Sequence, residues 1–545
     1  MITTSKQRIA VLTAAGSWGT DTLHGLLARH ASAQPLRLAV KDQPNREQLT
    51  GDAPRALNWV DLDRASDNLA LQLQAAGLGE DDRVIIQLPN IVELLVVYYA
   101  LSKMGAIASP VPVQYGSHEL QHMVAALNAS AIVTIGRFRG SELAAVARLA
   151  LPEIKVLTFG EELRLDTREG RGFSSGLEDN ANRVVSICWT SGTTGTPKGV
   201  PRSHNMWFAS GRSTAGAGNY VSEDTLLCPF PMVNMAALGG FLFPAALIGC
   251  TIVLHHPLDL PVFLQQMQDE RINFTVAPPA LLNQLAKSPA MWNQYDFSAL
   301  RRVGSGSAPL SPWMIEIFGR DFGVEVVNFY GSNEGIALYS APEKAPDPEV
   351  RAAMFTRPGA GENIETKVAD PDTGEEVTAS GARGELLISG ATVFDGYFEH
   401  DNADVFSADG YFRTGDLVEI SGKNADFYRI VGRCKDIINR GGMKISPMEL
   451  DMALEDHPDV VEAAVCPYPD ERLGEKICAC LVMQPGLPPM TMEAMQNYLL
   501  ELGLAKFKLP ERIEFFEALP RNAVGKVQRF VLQETVSSQQ ESGSL

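Results

Sequence analysis

The sequence predicts an α/β fold with a large N-terminal domain of doubly wound sheets, a small β subdomain within it, and a small α+β domain at the C-terminus. Three observations support this prediction. Strand-like runs alternate with helical patterns over residues 20–330, short strands and turns follow over 360–432, and a compact mixture of helices and strands comes last. Such alternation is typical of a mostly parallel sheet with helices on its faces. We place the domain boundary between residues 433 and 434.

Size and charge exclude several classes of protein. The chain has 545 residues, which allows two to four domains of about 100–200 residues each. Its net charge of −19 makes nucleic acid and anionic membranes poor partners, because like charges repel. No apolar run approaches the roughly 20 residues that span a bilayer, and the run that begins at Ile9 is too short for a secretory signal. We therefore expect no membrane span.

The cysteines indicate a reducing compartment. The seven cysteines are scattered and odd in number, which argues against a disulfide framework, so a cytoplasmic location is expected. Cys478 and Cys480 have the wrong spacing for a usual zinc pair. Alternate positions on one strand are the better interpretation.

The alternation begins in residues 60–134. Leu62, Leu69 and Leu73 have helical spacing, which predicts a helix from Val60 to Gly77 or Gly79. The segments that follow are predicted, in order, as a strand at 83–88, a helix at 91–104 and strands at 106–110 and 131–134.

A hydroxyl-rich loop follows a predicted buried strand at 184–189. The loop, residues 190–199, reads TSGTTGTPKG. Its glycines let the backbone approach a ligand, its hydroxyls add donors, and Lys198 supplies a point charge that suits a phosphate. The loop is not a Walker-type phosphate loop, because Gly199 stands where that motif has Ser or Thr. The alternative is a polar surface loop, since such runs are common linkers.

The alternation of predicted strands and helices continues to residue 335. Strands are predicted at 251–254, 274–277, 303–304 and 324–328, and helices at 261–271, 281–286 and 312–322. Ligands of parallel sheets sit beyond the carboxyl ends of the strands. Three polar, glycine-bearing segments lie at such ends, namely 190–199, 304–309 and 328–335.

Three side chains stand out by their chemistry. Glu334 is a hard oxygen ligand that suits Mg²⁺, or else an exposed turn carboxylate. Tyr330 either stacks on a base or packs in the core. Asp416, in the turn-rich β subdomain, either accepts hydrogen bonds from a ribose diol or bonds its own backbone.

The last 110 residues predict a domain that folds alone. Helices are expected at 447–454 and 492–503, strands at 460–465, 477–483 and 513–516, and a disordered tail from Ser537 to Leu545. A lysine, Lys526, lies on a glycine-containing loop near the end.

With these residues in view, the chain resembles the adenylate-forming superfamily, of the acyl-CoA synthetase and aryl-acid AMP ligase type. The resemblance covers residues 20–535. It rests on five motifs in order, which are TSGTTGTPKG (190–199), NFYGSNEG (328–335), YFRTGD (411–416), GRCKDIINRGG (432–442) and PRNAVGKV (520–527).

The resemblance implies a two-step reaction. A carboxylate attacks the α-phosphorus of ATP to give acyl-AMP and pyrophosphate, and a pantetheine thiol then displaces AMP. Lys526, Glu334 and Lys198 are the implied catalytic residues, with Glu334 holding Mg²⁺. The C-terminal domain is implied to be mobile, rotating about Lys435 between the steps and replacing Lys526 with Gly441 and Gly442, which leave room for the pantetheine arm.

The resemblance also assigns the binding residues. ATP or AMP is expected to contact Thr190, Ser191, Gly192, Thr193, Thr194, Gly195, Ser307, Ala308, Pro309, Asn328, Phe329, Tyr330, Gly331, Asn333, Asp416 and Arg433. Among them, Tyr330 is expected to stack on adenine, Asn328 to bond its amino edge and Asp416 to bind the ribose. The acid is expected to contact Asn234, Met235, Gly306 and Ser332.

Two positions depart from the family pattern. Asn333 stands where the family commonly has Thr, and we expect it to donate to a phosphate oxygen instead. Asn234 stands where many members carry a gating histidine. It either touches the substrate or only caps a helix that starts at Met235.

The expected acid is aromatic, carbocyclic or medium-chain, because the pocket segments carry no charged side chain apart from Glu334. The acceptor thiol is expected to be coenzyme A. An aryl-acid AMP ligase that loads a carrier protein is the alternative, and a catalytically silent nucleotide-binding paralogue is a further one. Homodimers are common in the family, but the sequence leaves the oligomeric state open.

Overall fold

The structure, a computed structural model, describes residues 1–190, 197–359, 363–521 and 526–542. It divides into two compact units. Unit 1 comprises residues 1–365 and 388–412, and unit 2 comprises residues 366–387 and 413–545. The domain boundary after residue 433 concerns a rotation between domains and stays a prediction.

Residues 1–190 contain the first seven strands and seven helices of unit 1. The strands are β1 (Leu38–Lys41), β2 (Ala56–Asn58), β3 (Arg83–Gln87), β4 (Ile107–Pro110), β5 (Ala131–Ile135), β6 (Lys155–Phe159) and β7 (Val184–Thr190). The helices are α1 (Lys6–Ala14), α2 (Leu23–Ala33), α3 (Arg46–Thr50), α4 (Trp59–Ala75), α5 (Val92–Met104), α6 (Ser117–Leu127) and α7 (Leu143–Ala150).

Residues 198–356 continue the alternation. The strands are β8 (Lys198–Ser203), β9 (Thr225–Cys228), β10 (Thr251–Leu254), β11 (Phe274–Val276), β12 (Arg302–Gly306), β13 (Glu325–Gly331), β14 (Ala337–Ser340) and β15 (Met354–Thr356). The helices are α8 (His204–Gly218), α9 (Met235–Ala237), α10 (Phe243–Ile248), α11 (Leu260–Asp269), α12 (Pro279–Lys287), α13 (Pro289–Trp292), α14 (Pro312–Asp321) and α15 (Pro348–Ala353), with a π-helical turn at Leu238–Leu242.

The remaining residues are richer in strands. These strands are β16 (Ile364–Ala369), β17 (Glu376–Val377), β18 (Arg383–Gly390), β19 (Phe412–Ser421), β20 (Phe427–Arg433), β21 (Ile438–Arg440), β22 (Met443–Ile445), β23 (Val460–Asp470), β24 (Gly474–Met483) and β25 (Arg512–Phe515). The helices are α16 (Pro447–Glu455), α17 (Met492–Glu501) and α18 (Arg529–Ser542), with a 3₁₀ turn at Lys506–Lys508.

Two large sheets build unit 1. One has the strand order β6-β5-β3-β4-β7-β8, and the other has the order β14-β13-β12-β11-β9-β10-β1-β2. Their inner pairings are parallel, whereas β8, β14 and β2 add antiparallel edges. Since parallel neighbours need crossover connections, the helices between the strands lie on the sheet faces. The predicted doubly wound α/β fold is confirmed.

Successive strand residues face different cores, which explains the continuous apolar runs in the sequence. Val84 and Ile86 of β3 pack in the largest core with helices α4 and α5, while Ile85 between them packs in a second core with Leu120 of α6. Both faces of this sheet are therefore buried, as parallel sheets require.

Unit 2 contains two smaller sheets. Strands β16–β20 are ordered β17-β16-β18-β19-β20, and the second sheet has the order β22-β21-β24-β23 with β25 parallel to β24. Helices α16 and α17 pack on the second sheet around a core that includes Leu450, Val465 and Leu499. The predicted strands and helices of the C-terminal region are all present.

The predicted disordered tail is wrong in part. Helix α18 continues through Ser542, so residues 537–542 are helical. Leu532 and Val536, both fully buried, anchor the helix on the sheet, and this packing outweighs the polar composition that follows them. Residues 543–545 lie outside the described residues.

No helix in the described ranges is long and apolar enough to cross a membrane.

Candidate active site

The candidate site of unit 1 begins where β7 ends at Thr190 and β8 begins at Lys198. The predicted phosphate contacts Ser191, Gly192, Thr193, Thr194 and Gly195 lie outside the described residues. The two strands flank the loop as an antiparallel pair in which Thr190 faces Lys198. Both ends of the loop are therefore held by a regular hydrogen-bonded ladder.

A tyrosine brings the lysine and the carboxylate of this site together. The Tyr397 hydroxyl donates to Oε1 of Glu334 at 2.9 Å, and the Lys198 ammonium lies 4.8 Å from the centre of the Tyr397 ring. The neighbouring Phe398 N–H donates to the Gly199 carbonyl at 2.9 Å, which fixes the Tyr397 segment beside β8. One aromatic side chain thus positions a cation and a carboxylate that is only 9% exposed.

Asn333 joins three elements around the site. Its Nδ2 donates to the Trp189 carbonyl at the end of β7 (3.0 Å), and its Oδ1 accepts from the Met235 N–H at the start of α9 (2.8 Å). The side chain that stands where the family commonly has Thr therefore connects the strand before the loop to the predicted acid pocket. Its donation to a phosphate oxygen stays a prediction.

A buried arginine of β8 binds the backbone of this segment. Arg202 of β8 is fully buried and donates to the Asn333 carbonyl (2.8 Å), the Met206 carbonyl (2.9 Å) and the Ser210 hydroxyl (2.7 Å), with its guanidinium 4.4 Å from the Trp207 ring centre. Burial lowers the pKa of Arg202 to about 9. Because it holds the backbone next to Glu334, Arg202 acts as a positioning residue.

The predicted adenine residues lie on two neighbouring strand ends. Strands β12 and β13 are parallel, and Gly306 pairs with Phe329 so closely that a Cβ on Gly306 would lie 2.1 Å from the Phe329 carbonyl oxygen. Ser307 follows with a positive φ of 66°, a strained conformation that is common at functional sites. Glycine is therefore required at 306, and Ser307, Ala308 and Pro309 are exposed beyond the strand.

The residues predicted to bind adenine differ in how far their side chains are engaged in contacts within the protein. Asn328 is buried, and its Nδ2 donates to the carbonyls of Arg351 (3.1 Å) and Ala352 (2.9 Å). Tyr330 is half-buried, with its ring 5.4 Å from that of Phe355. The stacking of Tyr330 and the base contact of Asn328 stay predictions.

The predicted acid-pocket residues come from two segments that meet. Met235 approaches β13, since its Cγ lies 3.5 Å from the position of a Cβ on Gly331. The Ser332 hydroxyl is buried and has no hydrogen-bond partner among the described residues. The Asn234 side chain accepts from the Ala236 N–H, which confirms the capping interpretation; its contact with substrate stays a prediction.

Unit 2 contributes an ion pair at the YFRTGD motif. The guanidinium of Arg433 donates through Nε to Oδ1 of Asp416 at 2.8 Å, and these residues face each other across β19 and β20. Asp416 is buried, and its backbone N–H donates to the Thr414 hydroxyl at 3.0 Å. The ion pair holds the Asp416 carboxylate in one orientation, and its contact with a ribose stays a prediction.

The predicted hinge, tunnel and lysine of unit 2 lie on its surface. Lys435 and Lys526 are exposed. Gly441 and Gly442 form the two-residue turn of the β21–β22 hairpin with φ values of 58° and 86°, which is a geometric reason for glycine at both positions. Their role as a passage for a thiol stays a prediction.

Sequence reasoning missed Tyr397 and Arg202. Tyr397 is separated from Glu334 by 63 residues, and no periodic pattern connects the two. Arg202 falls in no predicted element, and an arginine is normally exposed. Only the tertiary contacts identify both side chains.

Comparisons with known proteins agree with this geometry. The family profile of AMP-binding enzymes matches residues 34–398, and that of the AMP-binding enzyme C-terminal domain matches residues 449–526. Pyochelin synthase PchD of Pseudomonas aeruginosa is 30% identical over 97% of this chain and 95% of its own. The medium-chain fatty-acid–CoA ligase of Escherichia coli is 28% identical over 98% of this chain and 94% of its own.

The fold is shared with solved structures. The crystal structure of ATP-bound MatB from Rhodopseudomonas palustris has a TM-score of 0.80 and 26% identity, and covers 95% of this chain and 100% of its own. The two family profiles together cover most of the chain, and the motifs at 190–199 and 328–335 lie within the first matched range. The chain therefore belongs to the adenylate-forming superfamily of AMP-binding enzymes and is an adenylate-forming ligase.

Proposed function

We propose that this ligase converts an aromatic, carbocyclic or medium-chain carboxylic acid into an acyl-adenylate with ATP and then into an acyl-CoA. The observation that carries the proposal is the cluster of Lys198, Tyr397 and Glu334 beside the hydroxyl-rich loop. A fixed cation and a fixed hard-oxygen ligand next to a glycine-containing loop suit a polyphosphate.

In the first step the acid carboxylate attacks the α-phosphorus, the bond to the bridging oxygen breaks, and pyrophosphate leaves with the electron pair. Two anions must meet, so positive charge near the phosphates lowers the barrier. We assign Lys198 to the leaving pyrophosphate and Lys526 to the α-phosphate. Glu334 fits Mg²⁺, which binds proteins through one or two carboxylates and would neutralise phosphate charge.

The remaining contacts orient the nucleotide. We assign the ribose hydroxyls to Asp416, whose orientation the Arg433 ion pair fixes, and the adenine to Tyr330 and the Ser307-Ala308-Pro309 segment. An α-phosphate held in one orientation reacts faster because the entropy of alignment is already lost on binding.

In the second step a thiol attacks the acyl carbon, and AMP leaves with the electron pair of the acyl–phosphate bond. We propose that the C-terminal domain, residues 434–545, rotates about Lys435 between the steps, so that Lys526 serves only the first. The exposed turn at Gly441 and Gly442 is assigned to the pantetheine arm.

The acid class follows from the chemistry of the pocket. Glu334 is the only charged residue of the segments 232–240, 304–307 and 331–337. Because Glu334 is assigned to Mg²⁺, an amino acid would leave its ammonium group without a counter-charge there, which is costly in an apolar pocket. The unpartnered Ser332 hydroxyl is a donor or acceptor for a single polar substituent or for the acid carboxylate.

We assign coenzyme A as the acceptor. The similarity to the medium-chain fatty-acid–CoA ligase, which extends over 98% of this chain, supports this assignment. A carrier-protein pantetheine is the alternative, and the equally full match to pyochelin synthase PchD favours it. Both acceptors present the same thiol, so the chemistry of the second step is common to them.

The test is pyrophosphate release measured over a panel of aromatic, carbocyclic and medium-chain acids, each with and without CoA. The proposal expects release with at least one acid and a thioester when CoA is present. Release without a CoA thioester, but with acylation of a phosphopantetheinylated carrier, would replace CoA by the alternative. No release with any acid, from protein shown to be folded, would overturn the proposed activity.

A further inference from the structure

Three of the seven cysteines form a buried thiol cluster in unit 2. Cys466 lies on β23, and Cys478 and Cys480 lie two residues apart on the neighbouring strand β24. Cys466 is directly opposite Cys478 in the antiparallel register, and its sulfur is 3.9 Å from that of Cys480. All three side chains are fully buried.

A metal does not explain the cluster. Among the described residues, no group of three or more His, Cys, Asp and Glu side chains is arranged to hold a metal ion. Buried cysteines usually act as small apolar residues. Three thiols in mutual reach, however, also provide the two sulfurs that a disulfide needs.

The loop that carries Lys526 rests on this cluster at both ends. Leu519, which precedes the loop, belongs to the same buried cluster as the three thiols, and Val527, which follows Lys526, is partly buried and packs against that cluster. Arg521 and Val527 are joined by an isolated β-bridge that closes the loop. A change in the thiol cluster therefore acts directly on the supports of Lys526.

The C-terminal helix α18 takes part in covering the cluster. Its side chains Leu532 and Val536 belong to the same buried group as the three thiols. Arg512 of β25 donates to the Val536 carbonyl at 2.9 Å, and Arg529 donates to the Val465 carbonyl at 2.6 Å. Terminal helices open locally at a lower free energy than the whole domain, which gives small oxidants access.

The surroundings favour the reactive form of Cys466. Hydrogen bonds from the thiols of Cys478 and Cys480 lower the pKa of Cys466, and the charges of Arg529 and Arg512 add to the effect, while burial opposes it. A lower pKa means a larger thiolate fraction, and the thiolate is the nucleophile.

We infer that Cys466 is an oxidisable site that forms an intramolecular disulfide with Cys478 or Cys480, and that this disulfide suppresses adenylation. The second part rests on the proposed function. Directly opposed residues of an antiparallel pair have Cα atoms about 4.5–5.5 Å apart, which is within the range of disulfides. Cys478 and Cys480 share a strand, so Cys466 is the sulfur common to both bonds.

Hydrogen peroxide is the oxidant that we consider. The Cys466 thiolate attacks one peroxide oxygen, the O–O bond breaks, and hydroxide leaves and becomes water with a proton. The resulting sulfenic acid is attacked by the sulfur of Cys478 or Cys480, the S–O bond breaks, and a second water leaves. Two thiols and one peroxide thus give one disulfide and two waters.

The bond changes the support of Lys526. A disulfide between Cys466 and Cys480 requires their sulfurs to close from 3.9 Å to about 2.05 Å, which shifts side chains within the cluster to which Leu519 and Val527 belong. Because a displacement of about 1 Å at a catalytic group costs on the order of 100-fold in rate, we expect at least a tenfold fall in adenylation.

The test combines peptide mapping with activity. The full-length protein is treated with peroxide, free thiols are alkylated, and disulfide-linked peptides are identified by mass spectrometry. We expect a Cys466–Cys478 or Cys466–Cys480 peptide, at least a tenfold fall in acid-dependent ATP–pyrophosphate exchange, and recovery with a dithiol reductant. The Cys466→Ala variant should form neither peptide and keep its exchange rate under peroxide.

Cys250→Ala is the matched control, because Cys250 is a buried cysteine outside both the cluster and the motifs assigned to the reaction; it should respond as the wild type does. If Cys466 stays reduced while the protein is folded, the oxidisable site is refuted whatever the enzyme does. If the disulfide forms and exchange is unchanged, its effect on adenylation is refuted. If the reduced protein shows no exchange with any acid, the proposed function fails and the mapping alone decides the site.

Discussion

The two units hold their candidate catalytic groups in different ways. In unit 1, Glu334 is 9% exposed and accepts from Tyr397, whose ring also contacts Lys198. In unit 2, Lys526 is exposed on a short loop between Leu519 and helix α18. The Glu334 carboxylate is buried and hydrogen-bonded, so its position is fixed before a ligand binds. Lys526 is exposed on a loop, and we propose that this loop brings its charge to the nucleotide. From this difference we infer that the Glu334 site of unit 1 is the constant part of the reaction and that the segment carrying Lys526 is the exchangeable part.

The largest expected effect is that of Lys526→Ala on the first step. If Lys526 neutralises the α-phosphate, its loss should lower acid-dependent ATP–pyrophosphate exchange by about 100- to 1000-fold. Lys423→Ala, an exposed lysine in a turn of unit 2, is the control and should leave exchange unchanged. Exchange within twofold of the wild type in the Lys526 variant would remove this lysine from the first step.

Glu334→Gln tests the carboxylate of unit 1 that is assigned to Mg²⁺. The substitution keeps the size and the Tyr397 hydrogen bond but removes the negative charge that suits Mg²⁺, so exchange should fall by about 100-fold and should require more Mg²⁺ for half-maximal rate. The rate is measured as a function of Mg²⁺ concentration. Glu316→Gln on α14 is the control, and a Glu334 variant with an unaltered Mg²⁺ dependence would contradict the metal assignment.

Tyr397→Phe tests how the Glu334 carboxylate is held in place in unit 1. The ring that contacts Lys198 is kept, but the hydrogen bond to Glu334 is lost, and a bond to a charged group contributes about 1.5–3 kcal/mol. We expect exchange to fall by about tenfold with a changed Mg²⁺ dependence and little change in thermal stability. The control, Tyr295→Phe in another core of unit 1, should change neither the exchange rate nor its Mg²⁺ dependence. A stability loss without a rate loss would make Tyr397 structural.

Asp416→Asn tests the ribose contact of unit 2. It keeps the size but removes the charge that Arg433 binds, so the KM for ATP should rise by about tenfold while the maximal rate changes less. Asp372→Asn, an exposed partner of Lys444, is the control. An unchanged KM for ATP with a lower maximal rate would assign Asp416 to another step.

The units should also differ in their response to acid. Burial lowers the pKa of His256 in unit 1 to about 4, whereas unit 2 contains only His457. The unfolded chain protonates His256 below pH 6.5 and the folded chain does not, so stability is complete above pH 6.5 and falls as the pH drops toward 4.

The matching experiment compares urea unfolding at pH 7 and pH 5. His256→Asn should shrink the difference in unfolding free energy between the two pH values by about 2 kcal/mol. His400→Asn, an exposed histidine of unit 1, is the control. An unchanged pH difference in the His256 variant would show that this buried side chain is not a source of acid sensitivity.

The sequence predicted most of the fold because burial on both sheet faces leaves a direct pattern. Apolar runs such as 83–88 became parallel strands, and the helix predicted over 91–104 ends at Gly105, whose left-handed conformation closes it. The helical tail was missed because its stability comes from Leu532 and Val536 against a distant sheet. Local composition does not contain that contact.

The candidate site was predictable to the extent that its residues lie in motifs. Glu334 and Lys198 were chosen by type and by their position after strand ends, and Asp416 by its type within the turn-rich β subdomain. Their partners were not, since Tyr397 and Arg202 act through contacts with residues far away in the chain. The engaged amide of Asn333 was likewise invisible until Trp189 and Met235 were seen to bind it.

The most direct test of the central claim is the second step of the Lys526→Ala variant, measured from supplied acyl-AMP and CoA. If Lys526 acts only in the first step, thioester formation should stay within about threefold of the wild type although pyrophosphate exchange is lost. An equal loss in both steps would contradict the account, because it would place Lys526 in a single arrangement that serves the whole reaction.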